Sequence, residues 1–157
     1  MSTTDEVFVA AGESLEETVG WVGRALRLEG VGDPELGAEE FLFRGKARTA
    51  GGDLVIVVEP NTYSEPDPEP DDVSAIDRYA VVVEVRLVGA RDEEAQAREA
   101  RAVFDELSAD RPEVALVLSH ALSLLKAAYL PGVGARTFPA GTTLDAPDVD
   151  AWRAWVR

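Results

Sequence analysis

Alternation of apolar and polar residues predicts three neighbouring β-strands in the middle of the chain. The alternating segments are residues 41–48, 54–58 and 79–88, and Gly51-Gly52 between the first two is typical of a hairpin turn. An apolar face backed by a polar face is the pattern of antiparallel strands with one solvated side. The sequence therefore predicts an antiparallel meander.

The polar faces of these strands carry charge. In the first strand Arg44, Lys46 and Arg48 lie opposite Phe41 and Phe43, so we expect three bases in a row on one face of the sheet. In the last strand the odd-numbered valines face the core, and charged even-numbered residues face the other way.

Helical spacing follows a capping signal near the N-terminus. Ser14 and Glu17 have the spacing of a capping box, in which the hydroxyl accepts from the amide three residues later. The helix that begins here is expected to run to about Glu29, where Gly30 and Gly32 end it.

A second helix is expected from the cap at Asp92 to about Ala109. After Pro112 the pattern allows two interpretations. Residues 112–129 form one helix, or residues 114–118 form a buried strand with a helix behind it. We favour the strand, because a β–helix–β unit closes the sheet over the second helix.

Tryptophan marks two further segments. Trp21 lies off the apolar stripe of the first helix, so that helix either packs on two sides or exposes Trp21 as an anchor for a partner. Trp152 and Trp155 belong to a short C-terminal helix that Asp145 and Pro147 begin.

Residues 59–77 form an acidic, proline-rich loop. The segment holds seven acids, four prolines and no base, and the prolines exclude helix and ladder pairing. It is either a flexible, solvated insertion or an acidic arm that docks on a basic partner. The candidate partner-binding residues, together with Trp21, are Glu65, Asp67, Glu69, Asp71 and Asp72.

Charge is the unusual feature of the composition. Thirty acids against 15 bases give a net charge of −15 over 157 residues, and such a field repels nucleic acid and anionic membrane surfaces. It favours a basic protein partner. The chain has no cysteine, no signal-peptide pattern at Met1–Glu6 and no run of apolar residues long enough for a membrane span, so we expect a cytoplasmic protein.

Motifs for catalysis, metal binding or cofactor binding are not found, and no cofactor is expected. His120 is the sole histidine, and Ser119 beside it would point to the opposite face of a strand, so the pair cannot act as nucleophile and base. Gly132-Val133-Gly134 does not continue into a dinucleotide fingerprint. Carboxylates are plentiful, but we expect them to be spread over helix ends and the acidic loop rather than gathered in a cleft.

The order of elements resembles that of small immunity proteins from bacterial polymorphic toxin systems. Three segments add to the resemblance: Val103–Leu107 at the end of the second helix, the apolar run Ala115–Leu118, and Phe138–Asp145 before the tryptophan-rich end. The resemblance implies a dedicated inhibitor that binds one secreted toxin in the cytosol, most simply a basic toxin that acts on nucleic acid. The alternatives are a small acidic secretion or folding chaperone and, third, an enzyme with an unrecognised carboxylate site.

Together these patterns predict one α+β domain over residues 1–157. The order is β-α-β-β-β-α-β, with a mostly antiparallel sheet, two main helices on one face and a short C-terminal helix.

Overall fold

An eight-stranded antiparallel sheet forms the centre of the protein. The computed structural model describes residues 4–89 and 92–156, so the first three residues of the acidic N-terminal segment lie outside it. In chain order the elements are β1 (Asp5–Val9), α1 (Leu15–Ala25), β2 (Glu29–Val31), β3 (Phe41–Lys46), β4 (Asp53–Pro60), β5 (Val81–Leu87), α2 (Glu93–Asp110), β6 (Leu116–His120), β7 (Leu124–Leu130), β8 (Gly134–Thr137) and α3 (Val149–Trp152). Short 3₁₀ turns flank α3 at Ala146–Asp148 and Arg153–Trp155. The predicted α+β class is confirmed.

The N-terminal strand joins two meanders into one sheet. The strand order is β2-β3-β4-β5-β1-β6-β7-β8, so β1 pairs with β5 on one side and with β6 on the other. All five residues of β1 are buried. Because β1 links the two halves, the sheet forms one continuous layer.

Both main helices pack on the same face of this sheet, as the sequence predicts. The core on this face is apolar, and its helical part comprises Val19, Trp21, Val22, Leu26, Ala100, Val103, Phe104 and Leu107. Ser14 caps α1 by accepting from the Glu17 amide, and Asp92 caps α2 by accepting from the Ala95 amide.

The second face of the sheet is covered over only part of its width. Residues 73–79 and the C-terminal segment pack over β1, β5, β6 and β7, where Phe8, Val82, Val117 and Leu125 are buried. Over β3 and β4 the side chains on this face are half-buried or exposed, and β2 is exposed. We call this uncovered part, carried by β2 to β5, the open face.

Helix α1 ends earlier than the sequence predicts, and the expectation that Gly30 stops it is wrong. Arg27 adopts the left-handed conformation with φ of 55°, and the Leu28 amide donates to the Gly23 carbonyl at 2.9 Å. The Arg27 amide donates to the Arg24 carbonyl at 3.2 Å, which completes a Schellman motif with arginine where glycine is usual. The freed residues Glu29–Val31 form edge strand β2.

Residues 112–129 contain strands where the sequence analysis expected at least one helix. Both interpretations, one helix or a strand followed by a helix, are wrong for the residues after β6. The expected strand is present as β6, but a hairpin follows it instead of a helix. Ala121 and Leu122 have φ of 52° and 57°, and the Ser123 amide donates to the His120 carbonyl at 3.0 Å. Two central residues with positive φ are typical of a type I′ turn, which joins antiparallel strands tightly.

The predicted row of three bases contains only two. Arg44 lies on the open face and pairs with Asp53 at 2.6 Å, and Lys46 is exposed at the end of β3. Arg48 instead turns toward α2, where its Nε donates to Glu106 at 2.6 Å and its Nη2 donates to the Leu26 carbonyl. The alternation ends at Lys46, since the hairpin begins there.

Candidate functional site

The acidic loop and the C-terminal segment enclose a groove of about 550 Å³. Its apolar lining consists of Val73, Val149, Trp152 and Val156, with Pro66 and Pro68 of the loop. Two carboxylates of the loop, Glu65 and Asp67, also line it, and Ser74, Asp77, Arg78 and Arg153 complete the lining. A concave surface that combines apolar side chains with a few polar and charged groups is the usual form of a binding site.

Hydrogen bonds fix the shape of the groove on the loop side. Asp77 accepts from the Ser74 amide at 2.8 Å and from the Glu65 amide at 3.4 Å, and the second bond ties Glu65 to the end of the loop. The Asn61 side-chain amide donates to the carbonyls of Ile76 (3.0 Å) and Tyr79 (2.7 Å). From Asn61 onward the loop is irregular, as predicted, and hydrogen bonds anchor it at several points. The expectation that the loop begins at Glu59 and that Pro60 excludes ladder pairing is wrong, because both residues pair with β5 at the end of β4.

The C-terminal side of the groove is held by Asp148. Its carboxylate accepts from the backbone amide of Thr143 at 2.7 Å and from the hydroxyl of the same residue at 2.9 Å. The backbone hydrogen bond from Thr143, with the hydroxyl adding to it, lowers the pKa of Asp148 below its ordinary 3.8. The Ala75 amide donates to the Leu144 carbonyl at 2.9 Å, which joins the loop to this segment.

The predicted acidic site residues divide into two groups. Glu65 and Asp67 line the groove, whereas Glu69, Asp71 and Asp72 lie outside it and are exposed. A turn from Glu69 to Asp72, closed by a 2.8 Å backbone hydrogen bond, presents these three carboxylates to solvent. The loop thus places one pair of carboxylates in the lining of the groove and three at the surface outside it.

Trp21 is part of the core, and its interpretation as an exposed anchor is corrected. Its side chain is 3% exposed, and its indole N–H donates to Asp110 at 2.7 Å. The Arg111 guanidinium lies 4.9 Å from the centre of the indole ring and pairs with Glu13 at 2.6 Å. The wide apolar arc of α1 therefore reflects packing against both the sheet and the end of α2.

A second acidic cluster, which the sequence analysis missed, lies on the open face beside the start of the loop. Burial, followed by the charges of Glu40 and Glu84, raises the pKa of Glu59 above its ordinary 4.5. Burial, followed by the charges of Glu59 and Glu84, raises the pKa of Tyr63 above its ordinary 10.0. The carboxylates of β4 and β5 converge because Val57 pairs with Glu84 and Glu59 with Val82, which places both acids on one face. The expectation that the carboxylates are spread over helix ends and the acidic loop is therefore wrong for Glu59 and Glu84.

Glu6 is buried beside this cluster and has a structural role. It accepts from Thr4 Oγ1 at 2.8 Å, Ser119 Oγ at 2.9 Å and the Leu122 amide at 2.9 Å. Burial raises its pKa above 4.5, against the opposing effect of these hydrogen bonds. Glu6 thus holds the left-handed turn after β6 in place.

Ser119 and His120 point to opposite faces, as strand alternation predicts. Ser119 donates to Glu6, whereas Nδ1 of His120 lies 2.6 Å from Oδ1 of Asp5 on the helix side of the sheet. The two side chains are therefore separated by the sheet and cannot combine in one reaction.

Within residues 4–89 and 92–156, no group of three or more histidine, aspartate or glutamate side chains is arranged to hold a metal ion. No helix in the same ranges is both long and apolar enough to cross a membrane. Comparison of the chain with protein-family models, with curated proteins and with solved structures finds no match.

Proposed function

We propose that this chain is a non-catalytic binding protein that holds a basic, partly apolar segment of a protein partner in the groove between the acidic loop and the C-terminal segment. The observation that carries the proposal is that Glu65 and Asp67 line one groove together with apolar side chains, among them Val73 and Val149. Carboxylates attract lysine and arginine, and the apolar part of the lining accepts the apolar side chains between them.

The charge of the whole chain supports a basic occupant. A net charge of −15 accelerates the encounter with a basic protein by about 10- to 1000-fold and disfavours acidic partners. The exposed carboxylates of Glu69, Asp71 and Asp72 lie in the same loop as Glu65 and Asp67 and add to its negative charge. The acidic cluster around Glu59 extends the same negative surface onto the open face.

An immunity protein that neutralises a bacterial toxin in the cytoplasm is the form of this function that we propose. Toxins that act on nucleic acid present a basic groove, which is the chemistry that an acidic surface complements. A chaperone of this kind would offer an apolar helix face to its client. The structure gives that alternative less support, because the apolar residues Val19, Val22 and Leu26 of α1 are packed in the core.

The test uses three peptides of equal length that alternate leucine with lysine, serine or glutamate. Calorimetric titration should detect binding of the lysine peptide, with an affinity that falls as salt rises. The double variant Glu65→Gln/Asp67→Asn should weaken this binding by about 0.2–1 kcal/mol for each charge removed.

A matched control removes two charges elsewhere. Glu16→Gln/Glu94→Gln alters exposed residues in the first turns of α1 and α2, on the helix side of the sheet, and should leave the affinity nearly unchanged. Equal affinity for all three peptides, or equal losses in the two double variants, would contradict the proposal. Inhibition of a basic toxin domain co-expressed with the chain would then test the immunity role itself.

A further inference from the structure

A second cavity, separate from the acidic groove, lies between α2 and strands β6 to β8. Its volume is about 250 Å³, and its walls are mainly apolar, formed by Ala97, Ala100, Leu118, Phe138 and Ala140. At roughly 30 Å³ per water molecule, this space matches a ligand of about eight non-hydrogen atoms.

A β-bulge supplies the charged group of this cavity. Leu118 pairs with Ala127 and Ser119 pairs with Leu125, so Lys126 is an extra residue without a partner in β6. Bulges re-aim the side chain of the extra residue. Here Lys126 lines the cavity on the helix side, and its carbonyl accepts from the Phe138 amide at 2.9 Å.

Lys126 stands out in an acidic protein because it is half-buried and forms no ion pair within the described ranges. Arg101 also lines the cavity, with Nη1 donating to Thr137 Oγ1 at 2.8 Å and Nε donating to Asp105 at 3.0 Å. Two cations therefore border one small apolar space.

Asp5 lines the same cavity, but its carboxylate already has partners. Oδ1 lies 2.6 Å from Nδ1 of His120, and Oδ2 accepts from Nε2 of Gln96 at 3.1 Å. Each oxygen of the Asp5 carboxylate therefore has a partner of its own, and its attraction to Lys126 is shared with them.

We propose that this cavity binds a small organic acid with a short apolar chain. The ligand carboxylate pairs with Lys126 beside Arg101, and the chain lies against Ala97, Ala100 and Leu118 on the helix side. The half-buried Lys126 has no ion pair within the described residues, so a ligand carboxylate gains a charged hydrogen bond to its ammonium group, while the apolar walls select a hydrocarbon body over an inorganic ion. This inference is independent of the proposed capture of a basic protein, since the two sites share no lining residue.

The test titrates hexanoate into the millimolar range and follows backbone amide shifts by NMR. Saturable shifts are expected for residues 97–101, 118 and 126, with no such shifts from hexylamine or inorganic phosphate. Lys126→Gln should weaken hexanoate binding by about tenfold or more, because a charged hydrogen bond is lost. Ala97→Leu should weaken it by filling the cavity while Lys126 is retained.

Lys46→Gln is the matched control, because it removes an exposed lysine on the open face. It should leave hexanoate binding unchanged, and thermal melts of all variants show that each is folded. The proposal fails if wild-type protein shows no saturable shifts. It also fails if phosphate produces the same shifts as hexanoate, or if Lys126→Gln and Lys46→Gln have equal effects.

Discussion

Substitution of Trp21 by alanine should be among the most destabilising single changes in this protein. The side chain is 3% exposed and packs among core residues of α1, α2 and the sheet. Removal of a buried tryptophan costs about 3–5 kcal/mol through lost burial and the cavity that remains. For a chain of this size, such a loss lowers the melting temperature by roughly 6–20 °C.

Trp21→Phe separates packing from hydrogen bonding. Phenylalanine keeps most of the ring volume but loses the 2.7 Å hydrogen bond to Asp110, which is exposed and can bind water instead. A loss of about 1–2 kcal/mol is expected. Tyr63→Ala serves as the control, because Tyr63 is 48% exposed and its removal should cost less than about 1 kcal/mol.

Urea denaturation followed by circular dichroism measures all three variants, since the slope and midpoint together give the free energy of unfolding. A loss below about 1 kcal/mol for Trp21→Ala would refute the packing described for α1. Equal losses for the alanine and phenylalanine variants would show that the hydrogen bond, and not the ring volume, dominates.

Three further changes test the polar groups. Glu59→Gln should raise the free energy of unfolding near neutral pH, since burial and neighbouring acids disfavour the ionised carboxylate in the folded protein. Urea melts should show that this gain vanishes below about pH 4.5, where Glu59 is protonated in the folded and in the unfolded protein. Glu99→Ala should lower the free energy of unfolding by about 1–3 kcal/mol in the same assay, because fully buried Glu99 accepts from the amides of Arg48 and Thr49. The control Glu94→Ala removes an exposed carboxylate and should change it little. Ala121→Gly should stabilise the hairpin by up to about 1 kcal/mol in thermal melts, since φ of 52° strains alanine; a loss would contradict the assigned turn.

The strands that the sequence revealed are those with long alternation and one apolar face. Strands β3, β4 and β5 fit that description, and their hairpin and antiparallel order follow from it. The helix starts were equally visible, because Ser14 and Asp92 cap them with side chains that lie next to the helix in sequence.

The hairpin of β6 and β7 was not visible, because its turn depends on a distant residue. Ala121 and Leu122 are poor formers of a left-handed turn, and Glu6, 116 residues from Leu122 in sequence, accepts from the Leu122 amide. The leucines and alanines of β7 also fit a helix, so local pattern could not decide. Strand β2 was missed because three residues with a central glycine carry no alternation.

Only the acidic part of the candidate groove could be predicted from the sequence. Its loop carboxylates follow from the composition of residues 59–77, whereas its apolar lining forms only when residues 73–79 pack against the C-terminal segment. The bulge at Lys126 depends on strand register, which short apolar strands do not specify by themselves.

The central claim is that a basic segment binds in the groove beside Glu65 and Asp67. The most direct measurement is NMR titration of isotope-labelled protein with the alternating lysine–leucine peptide at low salt. The largest amide shifts should fall in residues 65–78 and 149–156, and they should shrink in the Glu65→Gln/Asp67→Asn variant. Shifts centred on the helix side of the sheet, or spread evenly over all acidic surfaces, would contradict it.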